Sequence, residues 1–183
     1  MSLHEIIIAG FGGQGVLFLG EVLARAGMRE DREITWLPSY GPEQRGGTAN
    51  CTVVISDESI GSPVVADPSI LIVLNRPSLD RFEPQVRPGG LIIYDSTLVT
   101  RAPMRPDVTA VAVPATGIAR DLGSARVVNV VLLGALLATL AVVAPSTART
   151  ILDEMVTDPE AKACNAAALE RGAREAAVPL LPV

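Results

Sequence analysis

Two glycine-rich stretches near the start of the chain, each directly after an apolar run, limit most strongly what this polypeptide can fold into. The first is Gly10-Phe11-Gly12-Gly13-Gln14-Gly15, which follows Ile6-Ile7-Ile8-Ala9. The second is Ser39-Tyr40-Gly41-Pro42-Glu43-Gln44-Arg45-Gly46-Gly47-Thr48-Ala49-Asn50, which follows Ile34-Thr35-Trp36-Leu37-Pro38. A strand that runs into glycine and reopens as a helix makes the tight turn on which α/β sheets are built. Two glycine-rich stretches close together, each following a strand-like segment, imply a shared surface for a phosphate-bearing partner or for another subunit.

The rest of the chain keeps the alternation. Strands are expected at residues 6–9, 34–37, 49–56, 70–74, 91–94 and 108–113. Helices are expected at 16–28, 78–86, 115–121, 127–143, 146–155 and 159–176, where apolar residues recur at helical spacing or capping residues open the segment. Ser146 is the expected cap of its helix, with Arg149 three positions on. Asp158-Pro159-Glu160 opens the last helix, with Asp as cap and Pro at the first helical position. Strands alternating with helices, without an internal repeat or a long linker, predict a single α/β domain over residues 1–183. Its sheet should be Rossmann-like, mostly parallel and flanked by helices. Only 3% of residues are aromatic while 49% are hydrophobic, so the core must be Val, Ile, Leu and Ala, which suits strands buried on both faces.

Composition also narrows function. A net charge of -5 argues against nucleic acid as partner. Cys51 and Cys164, far apart, cannot supply the roughly four thiolates of an iron–sulfur cluster. The lone His4 leaves no histidine set for a metal. Two unpaired cysteines fit a reducing, cytoplasmic setting. The start, Met1-Ser2-Leu3-His4-Glu5, lacks the basic region of a signal peptide. Residues 127–144 are apolar over the length of a short span, but Asn129, Gly134 and Thr139 interrupt them, and Arg126 and Arg149 flank them. A buried or interface helix is the better reading than a membrane span.

Gly10-x-Gly12-x-x-Gly15 has the spacing of the dinucleotide fingerprint. That fingerprint also needs an acid at the end of the second strand to hold a ribose hydroxyl. Here the second strand ends at Leu37-Pro38-Ser39, and Glu30, Asp31 and Glu33 come too early. A purely structural turn is the competing reading; Gln14 speaks against it, because an amide at a helix start can reach a ligand or a facing subunit. In the second stretch, Arg45 beside Gly46-Gly47 can hold a phosphate or carboxylate bidentately, or can simply pair with Glu43 at the surface. Cys51 sits in an apolar strand and reads as buried and inert. No nucleophile–base pair is present in the stretch.

At these two stretches the sequence resembles the gamma subunit of the 2-oxoacid:ferredoxin oxidoreductases. The residues that carry the resemblance are Gly10 to Val16, the run Pro38 to Cys51, Gly61-Ser62-Pro63, and Asn129 with Leu133-Gly134-Ala135 in the late apolar helix. The unbroken Ser39-Tyr40-Gly41-Pro42 looks most like the 2-oxoglutarate branch. The resemblance implies an enzyme that decarboxylates a 2-oxoacid on thiamine diphosphate, passes electrons through iron–sulfur clusters to ferredoxin, and passes the acyl group to coenzyme A. This chain would be an accessory piece, inactive alone, with no catalytic residue and no metal ligand of its own. Thiamine diphosphate, magnesium and the iron–sulfur clusters would sit on alpha, beta and delta partner subunits. Coenzyme A would lie at this chain's edge, against Gly12, Gly13, Gln14, Gly15, Ser39, Tyr40, Gly41, Pro42, Glu43, Arg45, Gly46, Gly47, Thr48 and Asn50. If a partner normally covers the 127–143 helix, the isolated chain can pair with itself through that helix. The rivals are a free-standing dinucleotide- or nucleotide-binding module, a structural assembly protein, and a gamma subunit serving pyruvate, a branched-chain or an aryl 2-oxoacid.

Overall fold

The computed structural model describes residues 2–40 and 48–176. Six strands form one sheet. They are β1 (Leu3–Phe11), β2 (Glu33–Tyr40), β3 (Thr48–Ser56), β4 (Ile70–Val73), β5 (Leu91–Asp95) and β6 (Thr109–Val113), in the spatial order β2-β3-β1-β4-β5-β6. Strands β1, β4, β5 and β6 are mutually parallel. Strand β3 is antiparallel to both β1 and β2. The mostly parallel expectation therefore holds, with one reversed strand inserted second from the edge. The cause is connection length: only residues 41–47 join β2 to β3, and a parallel crossover needs a dozen or more.

The helices are α1 (Val16–Arg29), α2 (Arg76–Phe82), α3 (Ala115–Asp121), α4 (Val128–Thr139), α5 (Pro145–Met155) and α6 (Pro159–Ala176). Alternation along β1 shows how the layers divide. Ile6 and Ile8 join a large core with α1, α3, α4, α5 and α6 on one face. Ile7 and Ala9 join a smaller core with α2, Val65, Val86 and Val99 on the other. Every residue of β4 and β5 is buried, as continuous apolar runs between two helical layers should be.

Several helix details differ from the sequence reading, among them α2, which runs Arg76–Phe82 where 78–86 was expected. The apolar helix stops at Thr139 rather than 143, where Leu140 turns extended. Helix α5 begins one residue earlier than Ser146, at Pro145, whose fixed φ suits a first helical position. Ser146 is thus inside the helix and caps nothing; its carbonyl accepts the Thr150 hydroxyl instead. Asp158 does cap α6, its Oδ1 accepting the Glu160 amide at 3.1 Å.

The apolar helix α4 is covered by this chain itself. Residues Val128 through Leu137 are all buried. Gly134 and Gly172 let the backbones of α4 and α6 touch: a Cβ at Gly134 would overlap the Leu169 carbonyl oxygen, and one at Gly172 the Val131 carbonyl oxygen. Self-association through the Val127 helix is therefore corrected, because α6 already occupies the face that a second copy would need. Among the described residues, no helix is long and apolar enough to cross a membrane.

Candidate functional site

Strand direction collects the functional motifs on one rim. The carboxyl ends of β1, β2, β4, β5 and β6 and the amino end of β3 lie along the same edge of the sheet, the edge where α/β proteins place their ligands. In the ladder, Gly10 pairs with Ala49 and Ala49 with Tyr40, while Phe11 pairs with Thr48. The anchors of the two glycine-rich stretches are thus neighbours. Ser39, Asn50 and Ala9 share one face of the sheet by register. Gly41, Pro42, Glu43, Arg45, Gly46 and Gly47 lie outside the described residues.

The turn between β1 and α1 is built from two left-handed glycines, Gly13 at φ 94° and Gly15 at φ 78°. Gly12 and Gly13 are exposed, and nothing stands within 4 Å of a Cβ placed on Gly13. Gly15 is the N-cap of α1 and offers no side-chain cap; the first turn of the helix holds no acid. Within the turn the Gln14 amide donates to the Phe11 carbonyl at 3.1 Å, and Leu19 makes the first intrahelical bond, to the Gly15 carbonyl at 3.0 Å. The first-turn amides of α1 before Leu19 have no intrahelical partner, a geometry that favours an anion.

Gln14 has an internal role that its sequence position concealed. Its Oε1 accepts from the Phe11 amide at 2.6 Å and from Asn75 Nδ2 at 3.2 Å, and its Nε2 donates to the Leu74 carbonyl at 3.2 Å. The side chain braces the crotch between β1 and β4 rather than projecting from the turn. Two buried amides hold the turn from either side. Asn75, 3% exposed, bonds Gln14 and also caps α2 by accepting the Ser78 amide at 2.9 Å. Asn129, 2% exposed, donates from Nδ2 to the Gly15 carbonyl at 3.0 Å, tying α4 to the turn.

Sequence reasoning gave Asn129 only as part of a resemblance and missed Asn75. A signal for Asn75 existed: Asn before Arg76-Pro77 is a helix-start pattern. It also missed Asp95, fully buried at the end of β5, which accepts the amides of Thr97 and Thr116 and the Thr116 hydroxyl and so joins two rim loops. Cys51 is buried as expected; burial pushes its thiol up to about 12, which leaves it protonated and unreactive.

Topology also bears on the dinucleotide reading. The strand that follows α1, β2, is separated from β1 by β3. The neighbour on the other side, β4, runs into Leu74-Asn75. An acid beside the first strand to hold a ribose is therefore absent from the described residues, and Gln14 fills the crotch.

The sequence model of the pyruvate ferredoxin/flavodoxin oxidoreductase family matches residues 5–175. This chain belongs to that family. Within it, the chain is 54% identical over 134 residues to the ketoisovalerate oxidoreductase subunit VorA of Methanothermobacter thermautotrophicus, an alignment covering 73% of this chain and 28% of that one. The chain thus spans a little over a quarter of the VorA length. It is 38% identical over 162 residues to the 2-oxoglutarate synthase subunit KorC of Methanocaldococcus jannaschii, covering 86% and 87% of the two. Among solved structures, the gamma subunit of keto/oxoacid ferredoxin oxidoreductase from Geobacter sulfurreducens has a TM-score of 0.84 at 28% identity, covering 96% and 97%. The 2-oxoglutarate:ferredoxin oxidoreductase of Magnetococcus marinus, solved with 2-oxoglutarate, coenzyme A and succinyl-CoA bound, shares the fold with a TM-score of 0.89 at 24% identity, covering 96% of this chain and 31% of that one.

Proposed function

We propose that this chain is the gamma component of a cytoplasmic 2-oxoacid:ferredoxin oxidoreductase, with 2-oxoglutarate the substrate of the assembled enzyme. The assembly would decarboxylate the 2-oxoacid on thiamine diphosphate and yield an acyl-CoA, with electrons leaving through iron–sulfur clusters to ferredoxin. Alpha, beta and delta partners hold those groups and magnesium; Cys51, buried and protonated, is no cluster ligand. This chain's contribution is positioning: it presents backbone donors to coenzyme A and completes the site from its rim.

The observation that carries the reading is the ladder register, which makes the anchors of the two glycine-rich stretches neighbours. The open amides at the start of α1 fit a phosphate group, and exposed Gly12 and Gly13 put no side chain in its way. The near-complete match to a 2-oxoglutarate synthase subunit supports the substrate. A second reading, a branched-chain 2-oxoacid, is favoured by the 54% identity to a ketoisovalerate oxidoreductase subunit. Comparing kcat/KM of the native assembly for 2-oxoglutarate and 2-oxoisovalerate decides between them.

The test of the site uses the same assembly carrying Arg45→Ala. Loss of a bidentate anion partner should raise the KM for coenzyme A about tenfold, with the KM for the 2-oxoacid unmoved. Unchanged kinetics in an intact complex would remove Arg45 and its loop from the coenzyme A path. Recovery of the chain from its host without thiamine-binding and iron–sulfur subunits would overturn the assembly itself.

A further inference from the structure

Asn129 is out of character with its surroundings. From Val128 to Ala138 helix α4 carries no other polar side chain, and Asn129 is only 2% exposed. Burying an amide there costs free energy that an apolar residue of similar size would not. Both ends of the amide are in use. Its Oδ1 accepts the Val130 amide at 3.0 Å, and its Nδ2 donates to the Gly15 carbonyl at 3.0 Å.

The bond to Gly15 is not needed to satisfy that carbonyl, which already accepts the Leu19 amide at 3.0 Å, the first bond of α1. A second donor satisfies no further backbone group; what it adds is direction. Gly15 is the N-cap of α1 and stands in the left-handed region at φ 78°. The same amide closes the space around it, since a Cβ on Gly15 would overlap Asn129. The N-cap sets where the first helical turn begins, and with it where the unpartnered amides of Val16, Leu17 and Phe18 point.

The turn has little else to hold it. Gly12 and Gly13 are exposed, and Gly13 has no neighbour within 4 Å of its Cβ position. Gly15 supplies no side-chain cap. Gln14 fastens the turn to β1 and β4 on one side, through Phe11, Leu74 and Asn75. On the other side Asn129 fastens it to α4. Donors held in place beforehand bind an anion more tightly than donors that must first be ordered. We propose that Asn129 is a positioning residue for coenzyme A, its hold on Gly15 aiming the first-turn amides of α1 at the phosphate-bearing end of that substrate. The inference rests on the reading of the glycine turn as the coenzyme A side of this chain.

Steady-state kinetics of the native assembly carrying Asn129→Leu test it. The substitution keeps the bulk of the side chain and removes the donor. The KM for coenzyme A should rise about fivefold, the equivalent of one neutral hydrogen bond. The KM for the 2-oxoacid, and kcat at saturating coenzyme A, should not move. Asn129→Ser, too short to reach Gly15, should behave alike and carries the test if the leucine variant does not fold. Val86→Ala, in the smaller core on the opposite face of the sheet, is the stability control. It should lower the melting temperature and leave the KM for coenzyme A unmoved; an equal rise there would trace the effect to stability and overturn the role. Gly13→Ala separates the role from the reading beneath it, because its methyl group enters the turn itself. A raised KM for coenzyme A in Gly13→Ala but in neither Asn129 variant overturns the positioning role and leaves the coenzyme A reading standing. No rise in Gly13→Ala overturns both.

Discussion

Gln14 stands where a ligand-binding side chain would be sought, at the mouth of a glycine turn, yet all its hydrogen bonds run inward to Phe11, Leu74 and Asn75. The turn is held open by this bracing, and the backbone rather than the amide is left to meet a partner. Gln14→Ala should therefore lower stability by about 1–3 kcal/mol, because Asn75 loses a buried acceptor, and urea denaturation of the isolated chain measures it. A second residue-scale expectation concerns Cys51. Its thiol rises from 9.0 to about 12 in the fold because burial disfavours the thiolate. The unfolded chain then ionises Cys51 first, so stability is fully present below about pH 9 and declines as pH climbs toward 12. Denaturation midpoints of wild type should fall more steeply between pH 8.5 and pH 10.5 than those of Cys51→Ala, the two pH values marking roughly that window.

Elements are joined here by small residues more than by large ones. Helix α4 is apolar on every side because α1, α3, α6 and strand β5 pack around it. Its closest neighbour is α6, and the contact is backbone against backbone at Gly134 and Gly172. Gly134→Ala or Gly172→Ala must push the two helices apart, since the clash is with a carbonyl and not with a side chain that can swing away. Each should cost about 1–3 kcal/mol. Because both act on one interface, the double variant should fall short of additivity in thermal melts. Helix α2 depends on a different device, the Asn75 cap, which links its stability to that of the glycine turn.

The whole molecule is lopsided. One face of the sheet is covered by five helices, and the other mainly by α2 and loops. Strand β2 lies at an open edge, with Trp36 and Leu37 exposed on it, while β4 and β5 lie wholly inside. Native-state hydrogen exchange should reflect that gradient: slowest in β4, β5 and α4, fastest in β2 among the sheet strands. In the assembled enzyme, protection of β2 should rise if partners dock along the rim that ends in the second glycine-rich stretch. Equal protection of β2 in the isolated and assembled forms would place the docking surface elsewhere.

The amino-acid order alone determined the element sequence, since each strand and helix declares itself through local apolar period, glycine turns and caps. It also determined that Cys51 would be buried and that the long apolar segment would be a core helix, because both follow from neighbours in the chain. Tertiary structure decided the rest. It reversed β3, turned Gln14 inward, and partnered Asn129 with Gly15 across 114 positions of sequence. The physical reason is one of range: propensity and capping act over a few residues, whereas the partner of a buried amide is chosen by where distant segments meet, which no local pattern encodes.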